Sequence, residues 1–223
     1  MIYPYGYPYI SRYDSTYDEF GTLRLTEGAT PQVFTEPLEL ADIKNYLRID
    51  PEVNDDDYLI TVLISGAREQ AEILQGRDLV RKQYDLSYDY WPQYRVALRA
   101  PTVSVDLVQY KDLSGKVTTM AEGSDYIVDL AKQPAIITPP WNISWPSFTP
   151  WPSSAITIRF TSGYGKDSPF WFGSGARLKA GMMLLISSWY EKRLPFETGI
   201  GATNEYPYAV TSCLTYGSLR RPR

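Results

Sequence analysis

Chemistry at neutral pH usually needs a histidine, an activated thiol, a close pair of carboxylates or a phosphate-cradling loop. The protein has no histidine, which removes Ser-His-Asp, Cys-His and histidine–metal arrangements together. Its single cysteine, Cys213, cannot form an internal disulfide and fits a reducing compartment. Asn54-Asp55-Asp56-Asp57 offers oxygen ligands, but a calcium loop needs alternating acids, a central glycine and a distal glutamate, and none is in register. Acids ahead of a helix instead complement its dipole and cap its free N–H groups. Gly163-Tyr164-Gly165-Lys166-Asp167 lacks the spacing of a phosphate loop and reads as a turn before the last helix. Asp125 and Asp129 lie four residues apart in a strand, sharing neither a face centre nor a close distance, which argues against hydrolysis by paired carboxylates. Ser162 and Ser174 have no plausible base nearby in sequence.

Aromatic residues are the richer signal. The stretch from Pro139 to Pro152 holds five prolines and Trp141, Trp145 and Trp151. It reads as a loop held extended by proline and folded over a β core. Tryptophan also concentrates at protein–protein hot spots, and exposed indole faces can stack on sugars. The N-terminal Tyr3-Pro4-Tyr5-Gly6-Tyr7-Pro8-Tyr9 alternates tyrosine with proline or glycine. Proline denies it helix and central strand, so an extended arm is expected, with Tyr5, Tyr7 and Tyr9 as candidate contacts for a neighbouring subunit. The C-terminal stretch from Glu197 holds Tyr206, Tyr208 and Tyr216 and ends in Arg220-Arg221-Pro222-Arg223. It too lacks an evident period. Disordered segments are usually poor in aromatics, so an extended tail that orders on a partner is expected, anchored by these tyrosines with Arg220 and Arg221. Deleting Gly201 to Arg223 should on this reading leave the body folded.

The elements between these ends follow from periodicity. Glu36-Pro37-Leu38-Glu39 places proline and acid in a first helical turn, and Leu40, Ile43 and Leu47 make one apolar face, stopped by Pro51. A second helix starts at the acid cluster, with Leu59, Ile60, Leu63, Ala67, Ala71 and Leu74 at helical spacing and Gly76 near its end. From Gln83 the period becomes two, with Tyr84, Leu86, Tyr88 and Tyr90 alternating with polar residues, then Val103, Val105 and Leu107. Short strands are expected at 117–120, 126–130, 135–138 and 155–161. The last helix should run from Ser174 to Arg193, with Leu178, Met182, Leu185 and Trp189 as its stripe. The fold class is therefore α+β: a helical bundle of about three main helices (38–82 and 170–195), an inserted small all-β, sandwich-like domain (83–165), an N-terminal arm (1–37) and a C-terminal tail (196–223). Leu40, Ile43, Leu47, Leu59, Leu63, Ile64, Leu74, Leu178, Met182, Leu185 and Trp189 should share one helical core, and the insert should have its own.

The 223 residues have a net charge of −4 and a pI near 5.0, with no dense basic run before the last few residues. Tight, sequence-independent nucleic-acid binding has little electrostatic support, whereas a mildly acidic surface lets DNA pass without sticking. No apolar run approaches the roughly 20 residues that span a bilayer, and the N-terminus lacks a signal-peptide pattern. A soluble, unexported protein with no membrane partner is expected.

The run Leu38-Glu39-Leu40-Ala41-Asp42-Ile43-Lys44-Asn45-Tyr46-Leu47-Arg48-Ile49 resembles the opening helix of head–tail connector (adaptor) proteins of tailed bacteriophages. So do the acids before Tyr58-Leu59-Ile60 and the following Ile64-Ser65-Gly66-Ala67-Arg68-Glu69-Gln70-Ala71-Glu72. An insert with Val108-Gln109-Tyr110-Lys111-Asp112 and Asp125-Tyr126-Ile127-Val128-Asp129, then Ile158 to Gly165 and Trp189-Tyr190-Glu191-Lys192-Arg193, extends the resemblance over Leu38 to Arg193. The arm and the Trp–Pro loop depart from the family pattern. The resemblance implies a virion protein assembled in the host cytoplasm as a cyclic homo-oligomer, usually a dodecamer. It would sit in the neck, between portal and stopper, tail or nozzle protein, around a channel for DNA. It implies neither catalysis nor a cofactor. The competing reading is a β-sandwich module binding carbohydrate or receptor through the tryptophan loop; the two long amphipathic helices argue against it.

Overall fold

The computed structural model describes residues 21–26, 35–192 and 208–219. They fall into two compact units: a β unit of 21–26 with Lys82–Gly163, and a helical unit of 35–81, 164–192 and 208–219.

The helical unit begins at α1, Leu40–Leu47. Asp42 accepts the backbone N–H of Glu39 at 3.3 Å, which fixes the start after Pro37 rather than at it. Arg48, in the left-handed region with φ 60°, ends the helix before Pro51 is reached. α2, Asp57–Gln75, closes on Gly76 at φ 67°, whose N–H bonds the Glu72 carbonyl. A 3-10 turn, Pro169–Phe172, leads into α3, Ser174–Lys192. Ile43, Ile64, Leu178, Met182 and Leu185 lie inside one apolar cluster, with Leu40, Leu47, Leu63, Leu74 and Trp189 packed on its margin. Leu59 is the one expected member outside that cluster, being half-buried.

The acid cluster opens α2 with Asp57 in its first turn, as expected for the dipole, but not as a side-chain cap. Asp57 instead pairs with the buried Lys44 of α1 at 2.6 Å, while the Asn54 side-chain oxygen and the Pro51 carbonyl accept from the same ammonium. Asp56 accepts from the Tyr190 hydroxyl at 2.5 Å. These residues therefore tie α1 and α3 to the start of α2.

The C-terminal stretch is not an extended tail throughout. Tyr208–Thr215 forms a helix, α4. Val210 and Leu214, one turn apart, are buried in the same cluster as α2 and α3. The helices meet closely at Gly181, where an added Cβ would fall 2.9 Å from both Cys213 Cβ and Leu214 Cδ2. Past α4 the polypeptide is latched to the end of α2. Gln75 Nε2 donates to the carbonyls of Leu214 and Tyr216, Leu219 N–H donates to the Gln75 carbonyl, and Ser218 Oγ donates to the Leu74 carbonyl. Removing Gly201 to Arg223 would strip two buried side chains from the core, so the body would not be left intact.

The β unit has eight strands among the described residues: β1 Thr22–Leu25, β2 Lys82–Tyr88, β3 Val96–Ala97, β4 Thr102–Lys111, β5 Val117–Thr119, β6 Ile127–Asp129, β7 Ile136–Thr138 and β8 Ile156–Ser162. They form a five-stranded sheet, β1-β2-β8-β4-β5, and a three-stranded sheet, β3-β7-β6, all antiparallel. Side chains of both sheets enter one apolar cluster: Tyr84, Leu86, Val108, Ile156, Ile158 and Phe160 from the first, Val96 and Ile137 from the second. β1 lies in the stretch expected to be an arm; its register with β2 pairs Leu23 with Leu86 and Leu25 with Tyr84. Tyr90 lies beyond the end of β2 and is exposed. Along β4 two register shifts against β8 break the simple alternation, so that Val103 is exposed and Val108 is the fully buried residue.

Candidate functional site

Within the β unit the tryptophan loop is built from its ends inward. Asp112 organises the turn after β4. Its carboxylate accepts from Ser114 Oγ and from the N–H groups of Ser114 and Lys116, and the Ser114 bond foremost holds it below the usual carboxylate range. Against this turn the far end of the loop is pinned by two backbone bonds, Leu113 N–H to the Thr149 carbonyl at 2.9 Å and Trp151 N–H to the Lys111 carbonyl at 3.1 Å. Phe148 packs its ring on Tyr110 of β4, 4.5 Å between centroids. A shallow groove of about 540 Å³ runs between Asp112, Leu113 and Ser114 on one side and Phe148 and Thr149 on the other.

The three tryptophans have separate surroundings. Trp145 stacks on Trp91 at 4.4 Å and 3°, and neither indole N–H, although buried, has a hydrogen-bond partner. Trp151 lies under the Lys111 ammonium, 3.8 Å from its ring centroid, a cation–π contact. Trp141 is 96% exposed. The loop therefore folds two indoles onto the β unit and leaves the third in water. The partners Trp91 and Lys111 were missed because only the fold brings them beside residues far along the sequence.

The outer face of the five-stranded sheet is polar. The register places Arg24, Asp85 and Arg159 side by side on three neighbouring strands. Arg159 makes a two-pronged pair with Asp85, 2.7 and 2.9 Å, and this bond chiefly raises its pKa. Asp106 gathers Gln83, Ser104 and Thr161. Asp125 binds the Ala121 N–H and Asp129 the Ala131 N–H. Asp125 and Asp129 thus each serve their own turn.

In the helical unit Tyr216 follows α4, is exposed, and lies under the Arg177 guanidinium at 4.4 Å. Tyr208 opens α4. Tyr5, Tyr7, Tyr9, Tyr206, Arg220 and Arg221 lie outside the described residues. Among the described residues no group of three or more His, Cys, Asp or Glu side chains could hold a metal ion. No helix among them is long and apolar enough to cross a membrane.

No protein-family model matches this protein, and no curated protein matches it. Solved structures do. A chain in the neck of an empty gene transfer agent (GTA) particle, computed with C6 symmetry, superposes with a TM-score of 0.65 at 19% identity, over 91% of this chain and 97% of that one. A chain in the virion of the native GTA particle gives 0.66 at 18%, over 90% and 97%. A chain in the native GTA neck computed with C12 symmetry gives 0.58 at 20%, over 86% and 98%. The protein has the fold of these neck and virion chains, in agreement with the connector resemblance read from its sequence.

Proposed function

We propose that this protein is a structural, non-enzymatic virion component. It would be the head–tail adaptor of a tailed, phage-like particle, forming a twelve-membered ring in the neck between the portal and the tail or stopper. The supporting observation is the fold agreement with GTA neck chains, which spans both units and nearly the whole of those chains. Symmetric necks of order six and twelve suit a head-to-tail contact repeated around a closed ring. Net negative charge suits a channel through which DNA slides without being held.

In this reading the helical unit builds the ring, and the β unit and the two termini face portal and tail. Trp141 offers a large apolar face that is almost wholly exposed, as an anchor for a partner would. Tyr216, with Arg220 and Arg221 just beyond, is the candidate portal-side contact, and Tyr5, Tyr7 and Tyr9 are candidate contacts between neighbouring copies. Assembly would take place in the host cytoplasm. The glycan-binding alternative keeps Trp141 as its freest platform, since Trp145 is stacked on Trp91 and Lys111 covers one face of Trp151.

The test is cryo-electron microscopy of particles from a lysate in which the protein bears a small C-terminal tag. Ring density fitting the two units at the head–tail junction is expected, as is tailless, DNA-leaking heads when the gene is deleted. Tagged protein found only at tail tips, or particles of normal form without it, would overturn the adaptor assignment.

A further inference from the structure

The helical unit contains a cavity of about 440 Å³ lined by Gln75, Arg77, Phe170, Ser174, Leu178, Tyr216 and Gly217. We infer that it receives an acidic side chain of a partner protein, with Arg77 as its counter-ion. Arg77 is 9% exposed. Its guanidinium donates only to neutral acceptors, the Tyr164 hydroxyl at 3.3 Å and the Gly217 carbonyl. Its Nε is buried without a partner, and none of the ion pairs found among the described residues includes it. A buried guanidinium whose hydrogen bonds go only to neutral acceptors is costly, and an incoming anion relieves that cost.

The start of α3, which also lines the cavity, favours the same charge. Ser174 is the first residue of the 19-residue α3, at the positive end of the helix dipole, although the preceding turn already takes the Ala176 N–H at the Gly173 carbonyl. Phe170, Leu178 and Tyr216 supply an apolar flank, and the volume far exceeds a bare inorganic ion. An acid on an aliphatic stem fits both halves. This site is independent of the ring assignment: its failure would leave the adaptor reading standing.

The test uses the full-length protein and glutarate, which mimics an acidic side chain, against neutral glutaramide and inorganic phosphate at matched ionic strength. Glutarate at tens of millimolar should raise the melting temperature of the helical unit by about 2–4 °C, glutaramide should not, and Arg77→Gln should abolish the rise. Because Arg77→Gln removes a buried group and could prevent folding, Ser174→Glu provides a second arm. This exposed position would place a tethered carboxylate at the cavity mouth, making the protein more stable and indifferent to glutarate. Equal responses in wild type and Ser174→Glu, no response in wild type, or a larger response to phosphate than to glutarate would each overturn the inference.

Discussion

The two units bury different kinds of residue. In the helical unit the buried set includes Lys44, Arg68, Glu72, Gln75, Arg77 and Asp78; in the β unit the buried polar residues are two hydroxyls, Thr26 and Ser162. The difference follows from where backbone hydrogen bonds go. A sheet satisfies its N–H and C=O groups along the ladder, so its interior can be almost purely apolar. Helix ends and the turns joining them leave orphan groups, and here side chains answer them. Glu72 accepts the Leu79 N–H at 2.9 Å, Gln75 donates to the carbonyls that end α4, and Arg77 donates to Gly217. The helical unit is thus tied by a few buried polar links, while the β unit spreads its stability over many apolar contacts.

The sharpest way to break that comparison is at an arginine in each unit. Arg68 is nearly fully buried and holds Glu36 at 3.0 Å and Glu72 at 2.8 Å. Burial alone would push its pKa down, but Glu72 and Glu36 outweigh it and the net direction is up. Arg68→Ala leaves two carboxylates facing an empty site and should cost the helical unit about 3–5 kcal/mol, or prevent its folding. Arg159→Ala removes an equally well-formed pair with Asp85, yet both side chains are partly in water, so about 1 kcal/mol or less is expected. Chemical denaturation followed separately in each unit would check this. Similar losses at the two sites would dissolve the distinction.

Next in size is α4. Leu214→Ala should destabilise the helical unit by about 2–5 kcal/mol and leave the β unit unmoved, since Leu214 is 1% exposed inside the helical cluster. A loss under about half a kcal/mol would restore the picture of a detachable tail. Proteolysis after Leu214→Ala should begin near α4, giving a second readout.

Long periodic segments were legible in the sequence. α2 and α3, the β2 and β8 alternation and ten of the eleven proposed helical core residues are where periodicity placed them. What stayed hidden shares a physical cause. α4 has eight residues, about two turns, and a single Val210–Leu214 step does not establish a period. β1 has four residues and becomes a strand only by pairing with β2, some sixty positions away. In β4 the register shifts cancel the alternation that pattern reading relies on. For the candidate interface, residue type and position pointed to the loop, but the division of labour among its tryptophans could not be read there. That depends on Trp91 and Lys111, neighbours only in the fold.

The smallest expected effect is a pH dependence of the β unit, and it too follows from the contrast. With almost no charge inside, this unit becomes sensitive where a neutral buried group is forced to ionise. Tyr126 is 4% exposed; burial, and then the charges of Glu122 and Asp125, raise its pKa. A phenol with a raised folded pKa binds its proton more tightly in the folded than in the unfolded state. The stability it contributes is therefore complete below the unfolded value of about 10 and is lost as pH rises from there through the folded value. Tyr126→Phe cannot ionise. Other tyrosines titrate in both proteins, so the informative quantity is the difference between the two denaturation curves. Relative to Tyr126→Phe, the wild-type β unit should weaken steadily above about pH 10, while below about pH 9 the difference should stay flat. A constant difference through about pH 11 would mean that the phenol is effectively solvated, and that the β interior is less closed to charge than its apolar cluster indicates.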